Sequence, residues 1–232
     1  MPSQTDLSQS HDFQYISDLA ASMIVDLVTS KPDACIALPT GHTPIAMYAS
    51  LVRLSRERQT DWSSVLCFAL DDYLDAPASA TFEAFLAQHI LDPLQIPDAN
   101  RFSPVRIDGY DSLIEASGGL DLTILGIGLN GHIAFNEPGT PAASYTHCVW
   151  LTESTRLANR DAFATLDEVP HTGITMGIAT IQASRKILLL AQGEKKKAIV
   201  EQAFKGPITA QVPASLLQNH SDLHLMCDFW VR

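Results

Sequence analysis

Four short stretches of this chain carry side chains able to move protons or hold an anion. The first is Leu125-Gly-Ile-Gly-Leu-Asn-Gly-His-Ile-Ala-Phe-Asn-Glu-Pro-Gly139, which gathers Asn130, His132 and Glu137 within eight residues. A histidine between a carboxamide and a carboxylate suits proton transfer near neutral pH. A lone histidine is more often a core residue, but that leaves the crowded glycines unexplained. The second stretch is Asp71-Asp72. Neighbours on extended backbone point to opposite sides, so one can enter a crevice while the other braces the loop. The third and fourth are anion-binding candidates. Thr40-Gly41-His42-Thr43 offers backbone N–H groups, hydroxyls and a helix start. In Gly193-Glu-Lys-Lys-Lys197, helical spacing of about 100° lets one lysine at most reach a crevice.

Other chemistries fit poorly. His132, Glu137 and Asp71 would give three metal ligands, but HExxH is absent and Asn130 ligates weakly, so no metal is expected. There is no GxSxG elbow for a serine triad and no P-loop or dinucleotide fingerprint.

Elements to position these groups are legible in the hydrophobic pattern. Short apolar runs at 34–38, 65–70, 122–125, 186–191 and 223–227 read as buried strands, with a further strand at 147–151. Helical spacing covers 13–27, 45–56, 82–91, 175–183 and 194–204, with shorter helices near 110–117 and from Pro213 to Leu217 and a polar one at 152–163. Thr43 is placed to cap its helix, with Pro44 in the first turn. Strands alternating with helices predict parallel βαβ units and one three-layer αβα sheet. In such a sheet ligands sit at the strand ends, where all four stretches fall. Residues 1–10 read as a loose tail and 11–232 as a single domain.

The 232 residues suffice for a substantial core. With 46% hydrophobic and 18% charged residues the chain is a globule rather than a disordered coil. A net charge of -11 argues against nucleic acid or an anionic membrane as partner. Cys35, Cys67, Cys148 and Cys227 form no CxxC pair, and each lies in or beside an apolar run. Four buried free thiols, no signal peptide and no spanning segment predict a cytoplasmic protein.

Taken together, LPTGHTPIAMY (38–48), FALDDYL (68–74), DLTILGIGLNGHIAFNEPGT (121–140), LTESTRLAN (151–159) and the tail from ITMGIATI through GPITAQVPASLLQNH to LHLMCD resemble the glucosamine-6-phosphate deaminase family. The match runs in order over most of the chain. The resemblance implies a modified Rossmann-like, mainly parallel sheet, and conversion of an amino-sugar 6-phosphate and water to a ketose 6-phosphate and ammonia. It implies no metal or organic cofactor and a small sugar phosphate as partner. By position, Asp71 corresponds to the base between C2 and C1, and His132 to the ring-opening acid/base. Glu137 and Asn130 correspond to its orienting partners. Thr40, Gly41, His42, Thr43, Lys196 and Arg160 correspond to the phosphate site.

Several positions depart from the family pattern. Asn130 stands where some members have aspartate, and His42 where glycine or serine is usual. Arg160 lies one position out of register. The loop after Asp72 is about two residues shorter than in many relatives. His147 and Val149 occupy positions that carry basic effector contacts in regulated members, so no amino-sugar effector control is expected. The competing readings are a galactosamine-6-phosphate deaminase/isomerase, a 6-phosphogluconolactonase and a sugar-phosphate-sensing regulator module. A lactonase is expected to show DER and GHTASLFPG where this chain has DDY and GHIAFNEPG. A regulator needs a DNA-binding helix pair for which the acidic chain has no room.

Overall fold

The computed structural model describes residues 6–231. Seven strands form one parallel sheet: β1 (Asp6–Gln9), β2 (Cys35–Leu38), β3 (Leu66–Ala69), β5 (Arg101–Phe102), β6 (Leu122–Gly126), β9 (Lys186–Ala191) and β10 (Leu223–Cys227). They run in the order β1-β10-β9-β6-β2-β3-β5. β4 (Asp71–Tyr73), β7 (His147–Trp150) and β8 (Thr172–Thr175) make a small antiparallel sheet, ordered β4-β8-β7.

Period-two alternation divides the central strands between two apolar layers. Ile36, Leu38, Leu122, Ile124, Leu188 and Leu190 face one way. They pack on α1 (Phe13–Ser30) and α2 (Thr43–Arg58) through Ile16, Ile24, Met47 and Leu51. Ala37, Phe68, Leu125, Leu189 and Leu225 face the other way. Their partners are α4 (Tyr110–Ala116), α6 (Ile178–Gln182) and α7 (Lys197–Lys205), through Ile114, Ile181 and Val200. The three-layer α/β architecture is therefore the one the sequence predicts. Asp12 caps α1, its carboxylate accepting from the N–H groups of Gln14 and Tyr15.

Five expectations need correction. Residues 6–9, read as part of a loose tail, form β1 and pair in parallel with β10; residues 1–5 lie outside the described residues. A strand of four polar or modestly apolar residues carries no strong pattern, and its stability comes from the β10 edge. The stretch at 147–151 joins the second sheet rather than the main one, pairing antiparallel with β8. On β7 the alternation turns Cys148 outward, so this thiol is exposed while Cys35, Cys67 and Cys227 are buried. The helix expected at 175–183 begins only at Ile178, because residues 172–175 are taken up by β8. The helix expected at 152–163 ends at Ala158: α5 is Glu153–Ala158.

The small sheet rests on an aromatic cluster of Tyr73, Phe82 and Phe135, with Leu151 and Val169. Gly173 on β8 admits this packing, since a Cβ there would lie 2.8 Å from the Phe135 ring.

Candidate active site

The order of the main sheet reverses at β2 and β6, the place where open α/β sheets hold ligands. A cavity of about 940 Å³ opens there. Its wall is built from the segments that follow β2, β3, β6 and β9, together with one side of α5. Thr40, Gly41, His42, Thr43, Asp71, His132 and Lys196 all reach it. Stretches more than 100 positions apart thus share one space because parallel strands deliver their C-terminal ends to the same edge.

After β2 the chain turns at Gly41, whose φ of +93° lies in the region that favours glycine. Thr43 does not cap α2 as expected. It is already the first helical residue, and His42 precedes it in helical conformation without a side-chain cap. The start of this 16-residue helix, with its positive dipole end, stands at the cavity wall.

Lys196 ends a tight turn, Glu194–Lys196, that leads into α7. Its ammonium donates to the Ile127 carbonyl at 2.6 Å. Burial, reinforced by the Lys195 charge, lowers its pKa to about 8. Lys195 also reaches the wall, so two lysines flank the cavity where helical spacing allowed one. The reason is local: both precede the α-helix, and the 100° rule does not govern the turn. Lys197 faces Glu194 instead, at 4.0 Å.

Asp71 and Asp72 divide their tasks as the extended backbone predicts. Asp72 accepts from the backbone N–H groups of Tyr73 (2.8 Å), Phe82 (2.9 Å) and Glu83 (3.1 Å), bracing the loop between β4 and α3 (Phe82–Leu86). Asp71 lines the cavity. Burial pushes its pKa well above the ordinary carboxylate range, and the neighbouring Asp72 charge adds to this, against an opposing backbone hydrogen bond from Phe135. A carboxylate so raised is a stronger base than a solvated one.

His132 is seated by glycines. The Gly131 N–H closes a turn onto the Gly128 carbonyl at 3.0 Å, and the Gly128 N–H donates to the His132 carbonyl at 2.9 Å. Gly128 leaves the ring its place: a Cβ there would lie 2.2–2.5 Å from three of its atoms. Gly131 has φ +85°, and a Cβ on it would meet Val212 at 2.8 Å. Asn130 and Glu137 stand behind the ring rather than on the cavity wall. The Asn130 amide donates to Glu137 Oε2 at 2.8 Å, while its carbonyl oxygen accepts from the His132 N–H at 3.2 Å. His132 Nδ1 lies 3.8 Å from Glu137 Oε2, beyond hydrogen-bond reach. Desolvation lowers the His132 pKa, Glu137 opposes, and Lys196 adds to the lowering. Burial thus favours the neutral imidazole.

Two hydroxyls of this assembly escaped sequence reasoning. Thr152 Oγ1 and Thr155 Oγ1 donate to Glu137 Oε1 at 3.1 and 2.5 Å. Their Thr-x-x-Thr spacing at a helix start was the available signal, since Thr152 caps α5. Arg160 is not brought to the site. It is exposed in a short turn beyond α5 and absent from the wall, which Asn159, one residue earlier, does reach. Among the described residues no group of three His, Cys, Asp or Glu side chains is arranged to hold a metal ion.

Fold and site together define a class: an open α/β protein whose strand ends bring a buried carboxylate, an imidazole and two lysines to one cavity. Comparison with known proteins is specific. Residues 9–225 match the family model described as glucosamine-6-phosphate isomerases/6-phosphogluconolactonase, and the chain belongs to that family. It is 40% identical over 227 residues to a glucosamine-6-phosphate deaminase of Bacillus pumilus (strain SAFR-032), covering 94% of each chain. It is also 40% identical over 224 residues to one from Lachnoclostridium phytofermentans, covering 92% of this chain and 95% of the other. A solved monomeric glucosamine-6-phosphate deaminase superposes with a TM-score of 0.90 at 34% identity, covering 96% of this chain and 97% of that one. The 6-phosphogluconolactonase of Trypanosoma brucei shares the fold, with a TM-score of 0.70 at 18% identity over 97% of this chain and 96% of that one.

Proposed function

We propose that this chain is an enzyme converting glucosamine 6-phosphate and water to fructose 6-phosphate and ammonia. The observation that carries the reading is that Asp71 and His132 open onto one cavity whose wall also holds Lys196 and the start of α2. The 40% identity to deaminases supports the choice of reaction.

The chemistry follows from the substrate. A closed amino sugar has no acidic C–H, so the ring must open first. Neutral His132 takes the proton of the C1 hydroxyl, the C1–O5 bond breaks as the carbonyl forms, and the imidazolium returns the proton to O5. The open aldehyde acidifies the C2 proton. Asp71 removes that proton and delivers it to C1, while a second passes from the amine to the C1 oxygen. The C2 imine that results adds water and expels ammonia. The phosphate sits at Thr40, Gly41, His42, Thr43 and Lys196, where a cation and helix N–H groups meet, and its remote binding energy aligns C1 and C2. Arg160 has no part in this reading. A cytoplasmic setting belongs to the proposal, in keeping with a phosphorylated metabolite and three buried free thiols. No helix among the described residues is long and apolar enough to cross a membrane.

The test is ammonia release from glucosamine 6-phosphate beside galactosamine 6-phosphate, with 6-phosphogluconolactone hydrolysis as control. Preferential turnover of the glucosamine substrate is expected. Faster turnover of the galactosamine epimer, or lactone hydrolysis without ammonia release, replaces the proposed reaction by that one.

A further inference from the structure

Glu137 and His132 do not touch, and one hydroxyl fills the space between them. The contact of Nδ1 with Glu137 Oε2 is 3.8 Å, whereas Thr155 Oγ1 lies 3.3 Å from Nδ1 and 2.5 Å from Glu137 Oε1. Thr155 is fully buried, so water does not compete for these bonds.

We propose that Thr155 is a positioning residue whose hydroxyl links Glu137 to His132 and fixes the imidazole tautomer that opens the sugar ring. A threonine hydroxyl has one proton to give. Glu137 offers only acceptors to the four groups around it: the Asn130 amide, the Thr152 N–H and hydroxyl, and the Thr155 hydroxyl. The Thr155 proton goes to Glu137, and its oxygen is left to accept from Nδ1. The imidazole then carries its proton on Nδ1 and turns a bare Nε2 lone pair to the cavity. That is the form needed to take the C1 hydroxyl proton. When Nε2 is protonated, the Nδ1–H bond to Thr155 strengthens, and the carboxylate beyond it stabilises the imidazolium without receiving its proton. The charged groups facing His132 are Glu137 and Lys196. Of the two, only Glu137 favours the imidazolium, so the hydroxyl bridge lies on the stabilising side. Asn130, an amide that takes up no charge, holds Glu137 from its far oxygen.

The kinetic arm of the test rests on the proposed deaminase activity, and the spectroscopic arm does not. Ring 15N NMR of the wild-type protein, with the His132 signals assigned by their loss in His132→Gln, reads the tautomer without substrate. An Nδ1–H tautomer is expected, and an Nε2–H tautomer overturns the proposal even if no variant folds. Thr155→Val keeps the shape and removes the hydroxyl. It is expected to mix the tautomers, to shift the His132 titration to lower pH and to lower kcat by about 10- to 10²-fold with KM little changed. Thr155→Ser is expected to restore all three. A Thr155→Val protein that melts earlier but keeps the wild-type tautomer, titration and kcat shows a merely structural threonine and ends the proposal. A wild-type protein releasing no ammonia from either amino sugar phosphate ends the deaminase reading, while the ring spectra still decide the role of Thr155.

Discussion

Gly128→Ala tests the placement of His132 without touching its chemistry. A Cβ on Gly128 would stand 2.2 Å from Cε1, 2.3 Å from Nδ1 and 2.5 Å from Nε2 of the ring. Ordinary contact begins near 3.4 Å, so the ring must retreat by about 1.2 Å, the difference between 3.4 and 2.2. Gly128 is not among the glycines with positive φ, so alanine fits its backbone and the side chain opposite must yield. Such a retreat forces the ring off its present line to Thr155 Oγ1, 3.3 Å from Nδ1. A misplacement of about 1 Å in a reacting group costs about 10²-fold in rate, or about 2.7 kcal/mol in the barrier. The substitution removes none of the groups offered to the phosphate, so KM is expected to stay within about threefold while kcat falls about 10²-fold. Steady-state ammonia release gives both constants, and a thermal melt reports the overpacking, about 1–3 kcal/mol at most for a ring able to move aside. A folded Gly128→Ala protein with kcat within about threefold of wild type would refute the reasoning, because the ring position would then not limit turnover.

Asp71→Asn is expected to lower kcat by about 10²- to 10⁴-fold and to raise the melting temperature at pH 7. The sign follows from the raised pKa: the buried carboxyl favours folding while protonated, and that contribution is lost as pH rises through its folded value. The advantage of the variant should therefore vanish below the unfolded value of 3.8, and melts that coincide at every pH would contradict the burial argument. Lys196, with its pKa at about 8, should place an alkaline limb near pH 8 on kcat/KM, and Lys196→Arg should remove it. Lys196→Ala should chiefly raise KM; a change confined to thermal stability would detach this lysine from the substrate. Lys195→Ala removes one cause of that depression, so the limb should move to higher pH; an unmoved limb would separate the two lysines.

The sequence determined the main sheet because buried parallel strands are unbroken apolar runs. Leu122–Leu125 and Lys186–Ala191 need no tertiary information to be read as strands. It also determined which residues could do the chemistry. Asp71 and Asp72 had to diverge, since extended backbone alternates, and His132 had to follow a glycine turn. Only the tertiary structure decided what those residues meet. β4 and β8 are too short and too mixed to announce themselves, and they exist because each completes the other across a sheet. Arg160 misses the cavity wall and Lys195 reaches it through turn geometry at helix ends, where patterns of 3.6 residues lose their meaning. Thr155 lies 18 positions after Glu137 and 23 after His132, and only the packing of α5 against the loop after β6 brings its hydroxyl between them. Local periodicity encodes which side of an element is buried; contacts between elements depend on how several elements close on one another, and no window of sequence contains that.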